Sequence, residues 1–514
     1  MSTIDQLETK YFPAIPGVIR HKENTEVFPW VDGEEYFAAL GDAIQGTEGP
    51  DDRIYIVNWL FDRQVFVTPN KRLSDLLVEK INLGVDVRVI VWAGRLMTGV
   101  DGADPDLDIT DPAWWGIRTI DKLGLFKDVV SETNIPNVRG LRALTPLLAN
   151  RVLMDWSGDI GSRHQKYAVV YRKSTGDLRG FVGIDLSEKN RNPYGGTQTP
   201  HEAGFEYRGE AVRSIWRDFK LRWDEVKSLP SKRYMWGTLV EPFNAAIEPS
   251  PVPDPSIAIV TPVSAPNSIR VVRTYGEVKD TMLWGDDLPW DSDMIPAGGL
   301  REVQTLLDKA VPAATRYIYI EDQGINNGED WTPHTLVFDM LEAAINKANS
   351  DVKVIAVTSG EHDGENLTLT ETIWNFFLQR ILPKQTNFVM YRVDRMEIHS
   401  KVILIDDEFA SIGSANFWNR SMNGEDTELN TMIVENADVV KNLRVRLWAD
   451  HLRVNPSSPI YRPQLLNLDQ SLGIFRPGWG TGILPFPSGS KLQLIGPPHP
   501  DPSESKLPVR TIQQ

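Results

Sequence analysis

Two short patterns of histidine and lysine are the residues most able to do chemistry. In Ile398-His399-Ser400-Lys401-Val402-Ile403-Leu404-Ile405-Asp406 a His and a Lys stand two apart at the head of an aliphatic run. On an extended strand that spacing puts both side chains on one face, so an imidazole and an ammonium point together. Ten residues past Asp406 comes Asn416 in Gly413-Ser414-Ala415-Asn416, whose small residues let backbone and amide approach an anion closely. The first half carries a weaker counterpart, His164-Gln165-Lys166-Tyr167-Ala168-Val169-Val170-Tyr171, then Gly183-Ile184-Asp185 after a hairpin lengthened by Lys173 to Gly180. A single His-x-Lys is ordinary on a polar strand face; two in matching settings point to one shared site.

That site suits a phosphodiester. Lys166, Lys401 and Asn416, with Ser414 nearby, can hold the non-bridging oxygens while charge shifts in the transition state. Asp185, which matches Asn416, can join them only if the lysines offset its charge. One imidazole must be neutral to attack phosphorus and the other protonated to release the alcohol. Each also needs a carboxylate on its second ring nitrogen to fix its tautomer. None of the eight histidines has close ligand spacing such as H-x(3)-H, so neither a metal nor another cofactor is expected.

The elements that must position these groups repeat as well. Ile54 to Trp59 reads as a strand, a helix follows through Leu73, Leu76, Leu77 and Ile81, and Val85 to Val91 reads as the next strand. Tyr317 to Ile320, a helix through Leu336, Met340, Leu341 and Ile345, and Asp351 to Val357 repeat the order. Continuous apolar strands alternating with amphipathic helices indicate α/β sheets covered on both faces. Capping helices are expected from Gly209 to Trp223 and from Ala437 to Leu452. The expected division is a lobe over 1–227, a Pro-rich linker over 228–267, a second lobe over 268–453 and an irregular Pro/Gly-rich tail over 454–514.

The second-half motif with its G-S-x-N follower resembles the H-x-K-x(4)-D signature of the phospholipase D superfamily. Ile318-Tyr319-Ile320-Glu321-Asp322-Gln323 is similar to the strand before that signature, and Gly183-Ile184-Asp185-Leu186 to the segment after the first. The resemblance covers about residues 50 to 453. It implies two homologous α/β/α sandwich lobes with mixed sheets about a pseudo-twofold axis, and hydrolysis or alcohol exchange of phosphodiesters through a phosphohistidine. By resemblance His164 is the nucleophile and His399 the general acid; the residues alone do not order them. Glu202 in His201-Glu202-Ala203-Gly204 resembles the carboxylate that supports the first His, and Glu428 the one that supports the second. The first signature departs from the pattern at Tyr171, where the family has Asp, which puts local support in doubt more than chemistry.

Composition narrows the rest. The 514 residues carry a net charge of −16, which disfavours loose nucleic-acid binding. No apolar run reaches the roughly 18 residues of a membrane span, and Met1 to Lys10 lack a signal-peptide pattern. The chain therefore reads as soluble and cytoplasmic by default, with export by another route left open; zero cysteines do not reveal a compartment. Sixteen tryptophans suit contact with a lipid interface, and Pro112-Ala113-Trp114-Trp115 and Met282 to Trp290 are candidate loops for it. The expected partners are a phospholipid at a membrane or micelle surface and water or a small alcohol as acceptor, with the protein a monomer. The readings carried forward are a phospholipase D with transphosphatidylase activity, a headgroup-exchanging phospholipid synthase, and a silent lipid- or phosphate-binding protein.

Overall fold

The computed structural model describes residues 3–92, 129–155, 162–187, 200–228, 250–260, 266–276, 299–323, 336–359, 384–393 and 397–476, apart from single positions inside them, and several shorter pieces. Both candidate lipid-facing loops lie outside the described residues. Runs such as Ile54 to Val57 and Val89 to Val91 are buried on both faces of a sheet, as their unbroken apolar pattern requires.

The first sheet contains β1 (Thr25–Val31), β2 (Arg53–Asn58), β3 (Asp86–Trp92), β4 (Val152–Asp155), β5 (Tyr167–Arg172), β6 (Asp177–Val182) and β7 (Ala203–Gly209), in the order β1-β7-β6-β5-β2-β3-β4. The second contains β8 (Asn267–Tyr275), β9 (Tyr317–Asp322), β10 (Lys353–Ser359), β11 (Phe388–Val393), β12 (Val402–Ile405), β13 (Phe409–Gly413) and β14 (Glu428–Glu435), in the order β8-β14-β13-β12-β9-β10-β11. Adding seven to each strand number of the first order gives the second. The senses agree too: β2, β3 and β4 run parallel, as do β9, β10 and β11, and the other neighbours are antiparallel. The chain is thus a duplicated α/β protein with two mixed sheets. The second sheet is extended at its edges by His21–Lys22 and by β15 (Leu492–Ile495).

Helices cover the outer faces. Those used below are α1 (Ile4–Tyr11), α2 (Gly33–Gln45), α3 (Leu73–Asn82), α4 (Val129–Leu144), α5 (Val212–Ser228), α6 (Glu302–Ala310), α7 (Leu336–Asn346) and α8 (Val439–His451). The expected helices through Leu73 and Leu336 are α3 and α7, and the two expected capping helices are α5 and α8. One hydrophobic core runs through both lobes, joining Ile56, Val169 and Phe205 of the first sheet to Tyr319, Leu404 and Ile412 of the second. α8 also crosses to β1, where Arg446 donates to Pro29 O at 2.8 Å. No helix among the described residues is long and apolar enough to cross a membrane.

Two expectations need correction. The segment after residue 454, expected to be irregular, forms helices at Arg462–Leu466 and Leu468–Phe475, and β15 pairs with β11. Apolar residues at helical spacing, Leu465, Leu468, Leu472 and Phe475, bury against the second lobe. The strand expected from Ile398 begins only at Val402, and that of the first motif only at Tyr167. Each His and Lys therefore stands in an extended approach to its strand, where the backbone is free to pair with the other lobe. Residues 250–260 of the linker lie extended along the first lobe, held by Arg88 on Ser250 O at 2.8 Å and Trp216 Nε1 on Pro253 O at 3.0 Å.

The Tyr171 departure has a geometric reason. Asp406 and Asp407 form the tight β12–β13 turn with φ of 58° and 59°, a conformation Asp tolerates better than most side chains. From that corner Asp406 accepts hydrogen bonds from the Thr315, Arg316 and Tyr317 backbone at 2.8, 2.8 and 3.1 Å. The first-lobe hairpin is longer and turns at Gly176, so Tyr171 remains inside the strand opposite Leu178. There the fastening carboxylate comes from the other side: Asp52, just before β2, accepts from Lys173 N at 2.8 Å.

Candidate active site

The two motifs meet because each is pulled across the lobe boundary by backbone pairing. His164 N donates to Thr427 O at 2.9 Å and Thr427 N to Ser162 O at 2.9 Å. On the other side His201 N donates to Glu397 O at 2.7 Å, and His399 N and Ser400 N donate to His201 O at 2.8 and 3.0 Å. These links bring the His164 and His399 rings to a centroid separation of 6.3 Å, nearly perpendicular. Both are 5% exposed, which leaves a narrow opening to each ring.

The same exchange decides which carboxylate serves which ring. His399 Nδ1 lies 2.6 Å from Glu202 Oε1, and His164 Nδ1 lies 3.3 Å from Glu428 Oε1. This corrects the sequence-based pairing of Glu202 with the first His and Glu428 with the second: each Glu heads a strand whose preceding residues cross to the opposite lobe. Ser414 is corrected as well. It was expected on the phosphate, but its hydroxyl donates to Glu428 Oε2 at 2.6 Å, while Ser421 donates to Oε1 at 2.6 Å. The small side chain at Ser414 leaves it within reach of Glu428 rather than of the rings.

The lysines brace the rings that precede them. Lys166 Nζ donates to His164 O at 3.1 Å and Lys401 Nζ to His399 O at 2.5 Å. Lys166 also faces Asp185 Oδ2 at 3.7 Å, and the same oxygen is 3.6 Å from His399 Nδ1. The Asn416 amide is buried, its backbone N donates to Ser421 Oγ at 3.2 Å, and its side-chain Oδ1 has no hydrogen-bond partner among the described residues. Sequence reasoning overlooked Trp59 as a site residue. Its ring is 5.1 Å from that of His164 and 5.8 Å from that of His399, and Lys166 Nζ lies 5.1 Å from its centroid. It ends β2, and only the sheet order reveals that β2 neighbours β5, the strand that follows the first motif. Ser421, in the one-turn helix Asn419–Asn423, was also missed and carries no local signal.

The two rings sit in unlike electrostatic settings. Burial, reinforced by Lys166 and Lys401, holds the His164 pKa well below its ordinary value, so this imidazole is neutral. Around His399, burial raises both Asp185 and Glu202, and their proximity to each other raises Glu202 further. Burial also raises Glu428, against the pull of the two serine hydroxyls, and lowers Lys166 to about 8.

Sequence comparison agrees with this geometry. Residues 331–451 match the protein-family model described as cardiolipin synthase, PLD-like domain. The chain is 22% identical over 513 residues to phospholipase D A of Dictyostelium discoideum, an alignment covering 85% of this chain and 36% of that protein. These matches support membership of the phospholipase D superfamily. A shorter stretch of 73 residues is 37% identical to phospholipase D alpha 3 of Arabidopsis thaliana, covering 12% of this chain and 9% of that one. The chain thus spans well under half the length of these relatives. Among solved structures, phosphatidylserine synthase of Haemophilus influenzae superposes with a TM-score of 0.45 at 10% identity, over 80% of this chain and 82% of that one.

Two groups of described residues bring three potential metal ligands within 4.8 Å: Asp185, Glu202 and His399, and His201, Asp450 and His451. In the first, Lys166 already supplies a cation at Asp185. In the second, His201 Nδ1 and Nε2 and His451 Nε2 lie 2.8 to 3.0 Å from carboxylate oxygens, so these ring nitrogens face Asp32 and Glu321 directly.

Proposed function

We propose that the chain is a phospholipase D that transfers a phosphatidyl group through a phosphohistidine to water or a small alcohol, at a lipid surface and without a metal. The observation that carries the reading is the pair of facing imidazoles, each backed at Nδ1 by a carboxylate from the other lobe, with two lysines beside them. With Nδ1–H of His164 turned to Glu428, Nε2 keeps its lone pair and attacks phosphorus. The bond from phosphorus to the headgroup oxygen breaks, and His399 gives its Nε2 proton to that oxygen. Lys166, Lys401 and the Asn416 amide hold the non-bridging oxygens. His399, now the base, then takes a proton from water or alcohol as it attacks the phosphohistidine, and His164 leaves unchanged.

The surroundings of the two histidines support this order. His164 is kept neutral by burial and two ammonium groups, as a nucleophile must be. His399 lies with Nδ1 against two carboxylates, the setting that suits a general acid. Glu202, Glu428 and Asp185 are assigned to orient and charge the rings, and Ser414 to orient Glu428. The names of the Dictyostelium and Arabidopsis relatives favour hydrolysis. The match of residues 331–451 to a cardiolipin synthase-type domain favours a second reading, headgroup exchange between phospholipids, which uses the same intermediate and a lipid alcohol as acceptor.

The test is choline release from phosphatidylcholine vesicles by wild type, His164→Ala and His399→Ala, with EDTA and with added ethanol. Release that survives EDTA, is lost in both variants and yields phosphatidylethanol is the expected result. Absence of both products from every common phospholipid would overturn it. Cardiolipin formed from phosphatidylglycerol in preference to hydrolysis would favour the second reading.

A further inference from the structure

Behind the His399 motif lies a buried cluster that the reaction scheme above does not use. His201 stands at its centre, fully buried. Its Nδ1 is 2.8 Å from Asp32 Oδ1 and 3.7 Å from Asp450 Oδ2, and its Nε2 is 3.0 Å from Glu321 Oε1. Glu321, on β9 of the second lobe, also receives His451 Nε2 at 2.9 Å, Tyr319 OH at 2.6 Å and the Ser400 hydroxyl. Ser400 is the residue between His399 and Lys401. The cluster thus touches the second motif through the side chain at its middle position.

The backbone touches it from the other side. His201 O accepts from His399 N and Ser400 N, and the next residue, Glu202, carries the carboxylate on His399 Nδ1. Asp32 accepts from Glu202 N at 3.3 Å while holding the His201 ring, and it does so with φ at 62°. That backbone conformation is costly for a non-glycine residue and persists where surrounding contacts over-determine it. Burial opposes a charge on His201, but Asp32 and Glu321 outweigh it and hold its pKa well above the ordinary value.

The equivalent place behind the first motif is built differently. Gln165, between His164 and Lys166, donates to Asp218 Oδ2 at 3.2 Å, and Tyr167 and Tyr275 donate to the same carboxylate at 2.8 and 3.0 Å. No histidine takes part. Both middle residues are tethered to a buried carboxylate, but only the His399 side has an imidazole that ties that carboxylate to the backbone carrying the ring's own partner.

We propose that His201 is a positioning residue for the protonating half of the site: bridging Asp32 and Glu321, it holds Glu202 and Ser400 so that His399 aims its proton at the leaving oxygen. The inference rests on the general-acid role proposed for His399. Losing the bridge lets Glu202 and the motif backbone shift together, and a misplacement of about 1 Å in a reacting group can cost on the order of 100-fold in rate.

A leaving group that needs no proton separates positioning from general damage. His201→Gln should lower the rate of phosphohistidine formation from phosphatidylcholine about 10- to 100-fold and leave the p-nitrophenol burst rate from phosphatidyl-p-nitrophenol within about threefold, because p-nitrophenolate departs unprotonated. Ser400→Ala, which removes one hydroxyl and no charge, makes the same comparison if His201→Gln does not fold. Equal losses on both substrates, or no loss on either, would overturn the proposal. A readout without substrate stands beside it: the downfield proton resonance of the His399 Nδ1–Glu202 hydrogen bond, assigned by its absence in His399→Gln. It should shift or vanish in His201→Gln, and an unchanged resonance would overturn the proposal. Failure of wild type on both substrates would count against the proposed function, and the resonance would then decide this inference by itself.

Discussion

Glu202 Oε1 lies 2.6 Å from His399 Nδ1, although 197 residues separate them and they belong to different sheets. Glu428 and His164, 264 residues apart, form the reciprocal contact. Neither His164 nor His399 takes its carboxylate from its own lobe, so this pair of contacts forms only when both lobes are docked.

Glu202→Gln should lower kcat/KM for phosphatidylcholine by about 10- to 100-fold, by analogy with loss of an orienting carboxylate on other histidines. Glu428→Gln should do the same through the other ring. The two differ in which step slows: rapid-quench measurement should find the phosphohistidine forming more slowly in Glu428→Gln even with p-nitrophenol as leaving group, whereas Glu202→Gln slows it chiefly with choline. Indistinguishable behaviour would contradict the order of the two histidines.

Lys166, lowered to about 8 by burial, predicts an alkaline limb. In the proposed reaction its charge holds the phosphate, so kcat/KM should fall as pH rises through about 8 in the free enzyme, and kcat should fall at higher pH because bound phosphate favours the ammonium. Stability moves the other way. An unfolded lysine keeps its proton to about 10.4, so the cost of burying the charge is fully present below pH 8 and is relieved as pH rises above it. Lys166→Met should abolish the limb, which a pH series of kcat/KM on the residual activity would check.

Tyr171→Asp, which restores the family residue, should destabilise the protein by about 2–4 kcal/mol. The new carboxylate would be buried beside Trp216, and the bond from Tyr171 OH to Ala258 O at 3.0 Å would be lost. Asp406→Ala should cost about 3–5 kcal/mol, since it strips a buried charge from Lys10 at 3.0 Å and leaves backbone N–H groups unpaired. Lys10 and several hydrogen bonds hold the Asp406 pKa low against burial. Its contribution is therefore complete above about pH 4 and is lost as pH falls below that. Urea melts of the three proteins at pH 7 and pH 3 test both statements.

Trp59 packs against both catalytic rings and Lys166, so Trp59→Ala should lower kcat about 10-fold or more by letting the rings move. Trp59→Phe should retain most activity. Equal activity of wild type and Trp59→Ala would assign the ring to packing with Trp92 alone, its stacked neighbour at 6.1 Å.

The sequence alone determined the candidate groups and the repeat that holds them. His164, Lys166, His399, Lys401, Asn416, Asp185, Glu202 and Glu428 all converge on one buried region, and the strands and helices expected around them form in both lobes. These features were legible because they are local: a two-residue spacing, an apolar run and a helical period are written in consecutive residues. Where the local rule was interrupted, the reading slipped, as at Ile398 to Lys401, whose backbone pairs with His201 rather than with its own sheet.

Only the tertiary structure decided which Glu faces which His, that Ser414 and Ser421 hold Glu428, that Trp59 lies against both rings, and that Asp52 does for the first hairpin what Asp406 does for the second. The His–Glu pairing and the place of Trp59 depend on how two sheets dock and on the exchange of short backbone links across their boundary; the other two depend on how strands and turns meet within one lobe. A chain of two equivalent halves can assemble its carboxylates within a half or between halves with the same local pattern. The choice falls to packing and backbone hydrogen bonding between residues some 200 positions apart, which no spacing in the sequence encodes.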